Sequence, residues 1–162
     1  MTAGTAYLLV DVAGTACALS REAVRELLPL PRLWRPPGAP AALAGFLNLA
    51  GAAVPALDLA ALFGLAPASA RDGLYRHLVL LRGEAPVALL VDRVDDLVRV
   101  DPAQVRPVPE GATLNGCVAE EIRLGERLVH GLSPARILLA EERGRLDAAT
   151  REAQRRLAEW AA

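Results

Sequence analysis

Acidic side chains are the residues of this sequence that could support acid–base chemistry, and Asp58 has the most unusual setting. It lies in the almost wholly apolar stretch from Gly45 to Gly64. A carboxyl group in apolar surroundings can act as a general acid, but such catalysis needs a second titratable group nearby. No other carboxylate, His or Lys is close to Asp58 in sequence, and the apolar run LAALF follows it. We therefore interpret Asp58 as the N-cap of a short helix that Gly64 ends in a left-handed conformation.

The remaining candidate groups also favour structural roles. His77 and His130 fall in or beside predicted strands, without an acid or second His at ligand spacing. The cluster from Asp92 to Asp96 could hold a cation, but we expect neighbouring Arg and water to neutralise it. Cys17 and Cys117 are far apart and form no Cys/His cluster, which predicts two small buried thiols and no metal site. Since the glycine-rich phosphate motifs and the Gly-x-Ser-x-Gly elbow are also missing from the sequence, we expect neither an enzyme nor a cofactor.

The elements that would position these residues are predominantly β-strands. Short apolar runs rich in Val and Leu, separated by glycine, dominate from Tyr7 to Leu132. Paired runs of this kind predict four β-hairpins, two in each half of the chain. The runs of the four predicted hairpins span 7–19, 46–57, 78–91 and 121–129. This pattern favours two small antiparallel barrels over a helical bundle, with a boundary at about residues 66–74, a polar stretch rich in small residues.

Helical signals are fewer. Ser133-Pro134 is an N-cap followed by proline at the first helical position. From Leu146 to Trp160, apolar or small residues recur at spacings of four and three, which predicts an amphipathic helix with a thin apolar stripe. Two interpretations of this helix stay open: a terminal helix that packs on the barrels, or a helix for self-association or a partner.

The composition limits the class of protein. The 162 residues carry a net charge of −1, and every basic residue is Arg. Such a balance gives no broad field to attract nucleic acid or anionic lipid. The first residues contain no basic region before a long apolar run, which argues against a signal peptide or a membrane span. We therefore expect a cytoplasmic protein without nucleic-acid binding or direct membrane insertion.

Three segments in a fixed order carry a resemblance to a known family. Val24-Arg25-Glu26-Leu27 looks like an opening V-x-E-[IV] pattern, with Leu27 at its last position, and residues 45–59 look like the hallmark G-x-x-N-L-R-G-x-x-x-P-x-x-D-L. Val87 to Pro109, especially residues 90–94 and 104–109, matches the signature of the second half. The chain from Tyr7 to Leu139 therefore resembles the CheW family, the coupling proteins that join chemoreceptors to the CheA histidine kinase.

The resemblance implies a mainly β fold of two SH3-like five-stranded β-barrel subdomains packed together, with short helices at the seam. The CheW-like domain would span 1–140, followed by a C-terminal amphipathic α-helix over 141–162. It also implies no catalysis and two partners: the regulatory domain of a CheA-type histidine kinase on one barrel, and the cytoplasmic tip of a chemoreceptor in the groove around the seam. The expected location is the cytoplasm, at membrane-associated receptor arrays. The partner-binding positions carried over are Val24, Glu26, Leu27, Gly45, Asn48, Ala50, Gly51, Val91 and Val94.

One position departs from the family pattern. The family usually has Arg in N-L-R-G, where this chain has Ala50, and that Arg commonly faces the acid that corresponds to Glu26. Without it, we expect Glu26 to be exposed to solvent or to pair with another Arg such as Arg25, because an uncompensated buried carboxylate is costly. Two alternatives to the coupling role follow. One is an auxiliary CheW-like scaffold of a second pathway, controlling surface attachment, pili or cyclic-nucleotide output, with weakened receptor binding. The other is a small-ligand-binding β-barrel with an apolar pocket at the seam.

Overall fold

The computed structural model describes residues 4–65, 76–109, 116–137 and 140–161, and about half of them form β-strands. The strands and helices are β1 (Thr5–Val12), β2 (Thr15–Ser20), β3 (Val24–Pro29), β4 (Leu43–Leu49), β5 (Ala52–Asp58), α1 (Leu59–Leu62), β6 (His77–Leu81), β7 (Ala88–Val91), β8 (Arg93–Val100), β9 (Val105–Pro107), β10 (Val118–Leu124), β11 (Arg127–Leu132), α2 (Pro134–Ile137) and α3 (Ala140–Ala161). The expectation of a mainly β fold is confirmed.

The strands form two sheets. The first has six strands in the order β8-β1-β2-β11-β10-β9, and the second has five in the order β3-β6-β7-β5-β4. Neighbouring strands are antiparallel except for β2 with β11 and β5 with β7. One sheet therefore has the expected five strands, and the other has six.

The two sheets do not follow the two halves of the chain. The five-stranded sheet takes the consecutive strands β3 to β7, while the six-stranded sheet joins β1 and β2 to β8 through β11. A division at about 66–74 is therefore wrong for the sheets, because β5 and β6 on either side of that segment share one sheet. Hairpin signals are local, whereas the two parallel pairings that assign hairpins to sheets join strands far apart in sequence. The segment itself lies outside the described residues.

All four predicted hairpins are present as antiparallel pairs: β1–β2, β4–β5, β6–β7 and β10–β11. The strands that hairpin signals did not reveal include β3 and β8, each at the end of a sheet. Both are mostly exposed and carry charged residues. A charged end strand lacks the apolar alternation that identifies a half-buried one.

The largest apolar core lies between the two sheets. It contains Val10 and Leu19 of the six-stranded sheet, Val79 and Leu89 of the five-stranded sheet, and Ala153 of α3. Two smaller cores each belong to one sheet. The packing of the sheets against each other therefore accounts for most of the buried apolar residues.

Both predicted helix caps are confirmed. Asp58 Oδ1 accepts hydrogen bonds from Ala60 N at 3.1 Å and Ala61 N at 3.4 Å, and Gly64 has a φ of 72°. Ser133 Oγ accepts from Arg136 N at 3.3 Å at the start of α2. Asp58 thus satisfies free N–H groups at the first turn of α1, as a structural cap does.

Candidate partner-binding surface

The β4–β5 hairpin, which contains the hallmark motif, ends in a tight two-residue turn. Ala50 and Gly51 have φ values of 51° and 90°, and Leu49 pairs with Ala52 on either side of them. Positive φ at both central positions is the type I′ geometry that matches the twist of the strands. Asn48 Oδ1 accepts from Gly51 N at 2.9 Å and holds the turn closed. Asn48, Ala50 and Gly51 are all exposed, so the turn presents a fixed surface to solvent.

The β1–β2 hairpin ends in a turn of the same design. Ala13 and Gly14 have φ values of 53° and 82°, and Asp11 Oδ1 accepts from Gly14 N at 2.7 Å. This turn is not free to contact a partner, however, because Ala13 packs against the core that the two sheets share and its N–H donates to Asp92 Oδ2 at 2.6 Å. Of these two equivalent turns, the one in the five-stranded sheet is therefore the one that is available to a partner.

Gly45 allows a neighbouring segment to approach β4 closely. Its φ is 151°, and a Cβ added there would lie 2.9 Å from both Leu33 Cβ and Trp34 O. Trp34 and Phe46 exchange two backbone hydrogen bonds, of 3.0 and 2.6 Å, and their rings are 5.9 Å apart. The absence of a side chain at Gly45 is therefore what allows the Trp34 segment to pair with the edge of β4.

The three candidate residues on β3 divide between the core and the surface. Val24 is 4% exposed and belongs to the core between the sheets. Glu26 is exposed, and Leu27 is 40% exposed. The expectation that Glu26 lies in solvent is confirmed, so its carboxylate needs no buried cation to compensate its charge.

The remaining two candidates, Val91 and Val94, are on β7 and β8. Val91 is 1% exposed in the shared core, and Val94 is partly buried against that core. Val24 and Val91 are thus core residues, and their assignment to partner binding stays a prediction in which these buried side chains act by supporting the surface. In strand order, β3 and β4 are the two end strands of the five-stranded sheet, so Glu26 and Leu27 lie on a different strand edge from the hairpin turn.

Helix α3 packs across the hairpin. The sequence had left open whether this helix packs on the barrels or serves self-association or a partner. Ala153 is 3% exposed, and the Gln154 side chain bonds twice to the hairpin: Oε1 accepts from Ala53 N of β5 at 2.7 Å, and Nε2 donates to Gly51 O of the turn at 2.9 Å. Arg156 lies over the Trp34 ring at 6.0 Å from its centroid. The amphipathic stripe predicted Ala153 on the buried side, but Gln154, Arg156 and Trp34 were missed. A glutamine adjacent to that stripe is the only sequence signal for the contact.

An apolar cavity of about 410 Å³ remains between α3 and the hairpin. Its lining residues are Trp34, Phe46, Leu47, Asn48, Ala53, Ala153, Arg156, Leu157 and Trp160. Trp160 is 89% exposed at this cavity. A small-molecule site needs several converging polar groups to orient a ligand, and among the described lining residues Asn48 and Arg156 are the only ones with an amide or charged side chain. The cavity also lies beneath α3 and not at the seam between the sheets.

Several of the described titratable groups have structural surroundings. Burial, followed by the negative charge of Asp11, raises the pKa of the Cys17 thiol to about 12, so the thiol stays protonated and unreactive at neutral pH. Asp92 accepts from a backbone N–H and lies 3.9 Å from Arg76, while Arg93 pairs with Asp95 at 3.3 Å. Among the described residues, no group of three or more His, Cys, Asp or Glu could hold a metal ion. In the same part of the chain, no helix has both the length and the apolar character needed to cross a bilayer.

Comparison with known proteins agrees with this geometry. Residues 6–142 match the model of the CheW-like domain. A probable chemotaxis protein CheW of Rhizobium etli is 39% identical over 93 residues, covering 54% of this chain and 56% of the relative. The chemotaxis protein CheW of Klebsiella aerogenes is 28% identical over 152 residues, covering 90% of this chain and 89% of the relative. The match therefore spans only slightly more than half the length of the rhizobial relative.

A solved structure confirms the fold. The scaffolding protein TtCheW from Thermoanaerobacter tengcongensis superposes with a TM-score of 0.76 at 17% identity, covering 86% of this chain and 90% of that one. The expected pair of SH3-like β subdomains is confirmed by this match. Since the family match covers both sheets, the chain belongs to the CheW-like domain family of non-enzymatic scaffold proteins.

Proposed function

We propose that this protein is an adaptor that couples the cytoplasmic tips of chemoreceptors to the regulatory domain of a CheA-type histidine kinase. The observation that carries the proposal is the family match over residues 6–142, which includes both sheets and the hallmark hairpin. The adaptor acts at receptor arrays by holding its partners in register. Receptor conformation then biases kinase activity through a coupling free energy of roughly 1–3 kcal/mol, as is typical of allosteric links.

The exposed members of the candidate set supply the contacts in this proposal. The hairpin turn offers Asn48, Ala50 and Gly51 on a backbone fixed by a side-chain hydrogen bond. On β3, Glu26 offers a charge and Leu27 an exposed apolar side chain. A surface that is already ordered loses little conformational entropy on binding.

Ala50 favours a second candidate function, the auxiliary scaffold of another chemosensory pathway. The exposed turn lacks the cation that the family usually presents there, and Glu26 is correspondingly exposed. An interface that has lost one charged partner typically loses affinity and association rate. Such a protein would bind the kinase and occupy arrays while engaging receptors weakly.

Titration of the purified protein tests both candidates. The ligands are the regulatory domain of the CheA-type kinase from the same genome and, separately, a fragment of a receptor tip. We expect micromolar dissociation constants for both, which corresponds to binding free energies of about −8 kcal/mol. Binding to the kinase domain alone would favour the auxiliary scaffold, and binding to neither would overturn both.

Two variants at one position sharpen this test. Ala50→Arg restores the family's cation, and Ala50→Gln adds a long side chain without charge at the same exposed site. If the missing cation limits receptor binding, the Arg variant binds the receptor fragment about tenfold more tightly, a gain of about 1.4 kcal/mol, and the Gln variant does not. Equal affinities of the two variants would remove Ala50 as the reason for weakened binding.

A further inference from the structure

Both tryptophans of the chain lie in one exposed patch at the end of α3. Trp160 is the most exposed large apolar side chain among the described residues, at 89%, and Trp34 is 42% exposed. The whole sequence has two Trp, two Tyr and two Phe residues, and Phe46 is a third member of this small set in the same patch. Aromatic side chains are enriched where proteins bind one another, so their concentration here indicates an interaction surface.

Trp160 continues the face of α3 that packs on the hairpin. Ala153 is buried, Leu157 is partly buried four residues later, and Trp160 follows three residues after that. Spacings of four and three residues keep these side chains on one side of a helix. Trp160 is about 4.5 Å beyond Leu157 along the helix axis. The apolar face of the docked helix therefore extends past the part that the hairpin covers.

The same patch contains a cavity that no side chain fills. The space of about 410 Å³ between α3 and the hairpin has Trp34, Phe46 and Leu157 among its walls and Trp160 at its rim. Apolar walls that face a void lack partner atoms and lose their dispersion contacts. A large apolar side chain that entered this space would restore those contacts and lose its own contact with water. The patch thus combines a projecting indole with an open apolar cavity.

Two charged residues of the patch are complementary to each other. Arg156 lines the cavity, and Glu159 directly precedes Trp160 in the sequence. Their side chains are 50% and 62% exposed. Arg156 pairs with Glu152 at 3.3 Å and Glu159 with Arg155, and these pairs within the helix hold both groups in position. The projecting indole therefore has an anion beside it, and the cavity has a cation.

From these observations we propose that the patch binds a second copy of this chain, with Trp160 of each copy in the cavity of the other. A twofold symmetric contact uses the same surface on both copies, so that surface must be complementary to itself. The patch meets this requirement, because it carries both the indole and the cavity. With the two α3 helices antiparallel across the axis, Glu159 of each copy lies beside Arg156 of the other. Helix α3 stays docked on its own hairpin, and the contact does not depend on the proposed coupling function.

Sedimentation equilibrium of the full chain from about 1 to 300 μM tests the contact, because this range brackets a micromolar dissociation constant. We expect the average mass to rise from that of one chain towards that of two. Trp160→Ala should raise the dimer dissociation constant about thirtyfold or more, as the loss of a central tryptophan does. The matched control is Leu128→Ala, which removes another exposed apolar side chain, 61% exposed on β11 of the six-stranded sheet, and should change nothing. A chain that stays monomeric throughout, or equal dissociation constants for the two variants, would overturn the inference.

A charge exchange tests the symmetry of the contact. Glu159→Arg and Arg156→Glu each place like charges at both ends of the twofold contact, so each variant alone should dimerise about tenfold more weakly than the unmodified chain. An equimolar mixture of the two should form a heterodimer, because both ends then have opposite charges. The pairs lost within each helix are the same alone and in the mixture, so only a contact between copies can produce the difference. A mixture that associates no better than either variant alone would contradict the antiparallel arrangement.

Iodide quenching of tryptophan fluorescence shows whose cavity receives the indole. The emission of Trp160 is the difference between the unmodified chain and Trp160→Ala, since Trp34 is the only other tryptophan. We expect iodide to quench Trp160 at the lowest concentration and to quench it several-fold less at the highest, where the partner copy covers it. Protection of Trp160 that is already complete at the lowest concentration would mean that the indole fills the cavity of its own chain, and would overturn the inference.

Discussion

At the scale of single residues, the two equivalent hairpin turns differ in a way that only burial reveals. Both have an Asx residue, an alanine with positive φ and a glycine, and in both the Asx side chain bonds to the glycine N–H. A non-glycine residue in the left-handed region costs roughly 1–2 kcal/mol because its Cβ crowds the backbone. The chain thus accepts backbone strain at both Ala13 and Ala50.

Ala50→Asn should stabilise the protein. Asparagine tolerates the left-handed region, and Asn-Gly is a preferred pair for a type I′ turn. We expect the free energy of unfolding to rise by about 0.5–1 kcal/mol, measured by urea denaturation. Ala52→Asn is the control, because Ala52 is equally exposed but lies in the extended strand β5, where asparagine is disfavoured. A variant at position 50 that is less stable than the parent would show that the turn is not strained.

The local roles of side chains could be predicted from the sequence, but the contacts of α3 could not. Asp58 and Ser133 cap helices because a cap depends on a few adjacent residues. Glu26 is exposed, as the missing Arg suggested. Gln154 bonds to Gly51 and Ala53 across about a hundred positions of sequence, and nothing in its own neighbourhood identifies that partner.

At the scale of elements, Gly45 determines how close the Trp34 segment lies to β4. The hallmark glycine has a backbone conformation that side chains rarely adopt, and an added Cβ would contact Leu33 and Trp34. The close approach places Trp34 beside Phe46 and under Arg156 of α3. One glycine in a strand therefore organises three segments around the hairpin.

Gly45→Ala should destabilise the protein by about 2–4 kcal/mol, because backbone strain and an overpacked contact act together. Gly38→Ala separates the two effects. Gly38 also has a positive φ, of 77°, but a Cβ there would meet no atom within 4 Å. It should therefore cost only the strain, roughly 1 kcal/mol. Equal losses in urea denaturation would mean that the approach of Trp34 to β4 does not depend on Gly45.

The elements themselves were easier to predict than their arrangement. All four hairpins were identified because alternating apolar runs around glycine turns are local patterns. The allocation of strands to sheets was not, since the β2–β11 and β5–β7 pairings join distant parts of the chain. The assumption that each half of the sequence forms one barrel failed for this reason.

At the scale of the whole molecule, the two sheets share their largest core and are also joined by Asp92. Asp92 lies between β7 of one sheet and β8 of the other. Its N–H donates to Asp11 O at 3.0 Å, and its carboxylate accepts from Ala13 N and lies near Arg76. The chain also passes from the six-stranded sheet to the five-stranded sheet and back. These links predict that the sheets unfold together.

Substitutions in the smaller core that belongs to each sheet alone test whether the two sheets unfold together. Leu80 belongs to the core of the five-stranded sheet and Ile122 to that of the six-stranded sheet, and both are 0% exposed. Leu80→Ala and Ile122→Ala should each cost about 2–5 kcal/mol. If unfolding is a single transition, each variant lowers the hydrogen-exchange protection of slowly exchanging amides in both sheets by the same free energy.

Leu89→Ala serves as the reference for these two variants, because Leu89 is 0% exposed in the core that the sheets share. If the shared core holds the sheets together, Leu89→Ala should lower hydrogen-exchange protection in both of them. A loss of protection confined to the five-stranded sheet in Leu80→Ala would contradict the prediction, as would a loss confined to the six-stranded sheet in Ile122→Ala. We expect neither confined loss, because separation of the sheets exposes the largest apolar cluster among the described residues. An intermediate with one folded sheet would therefore lose more apolar burial than its own core retains.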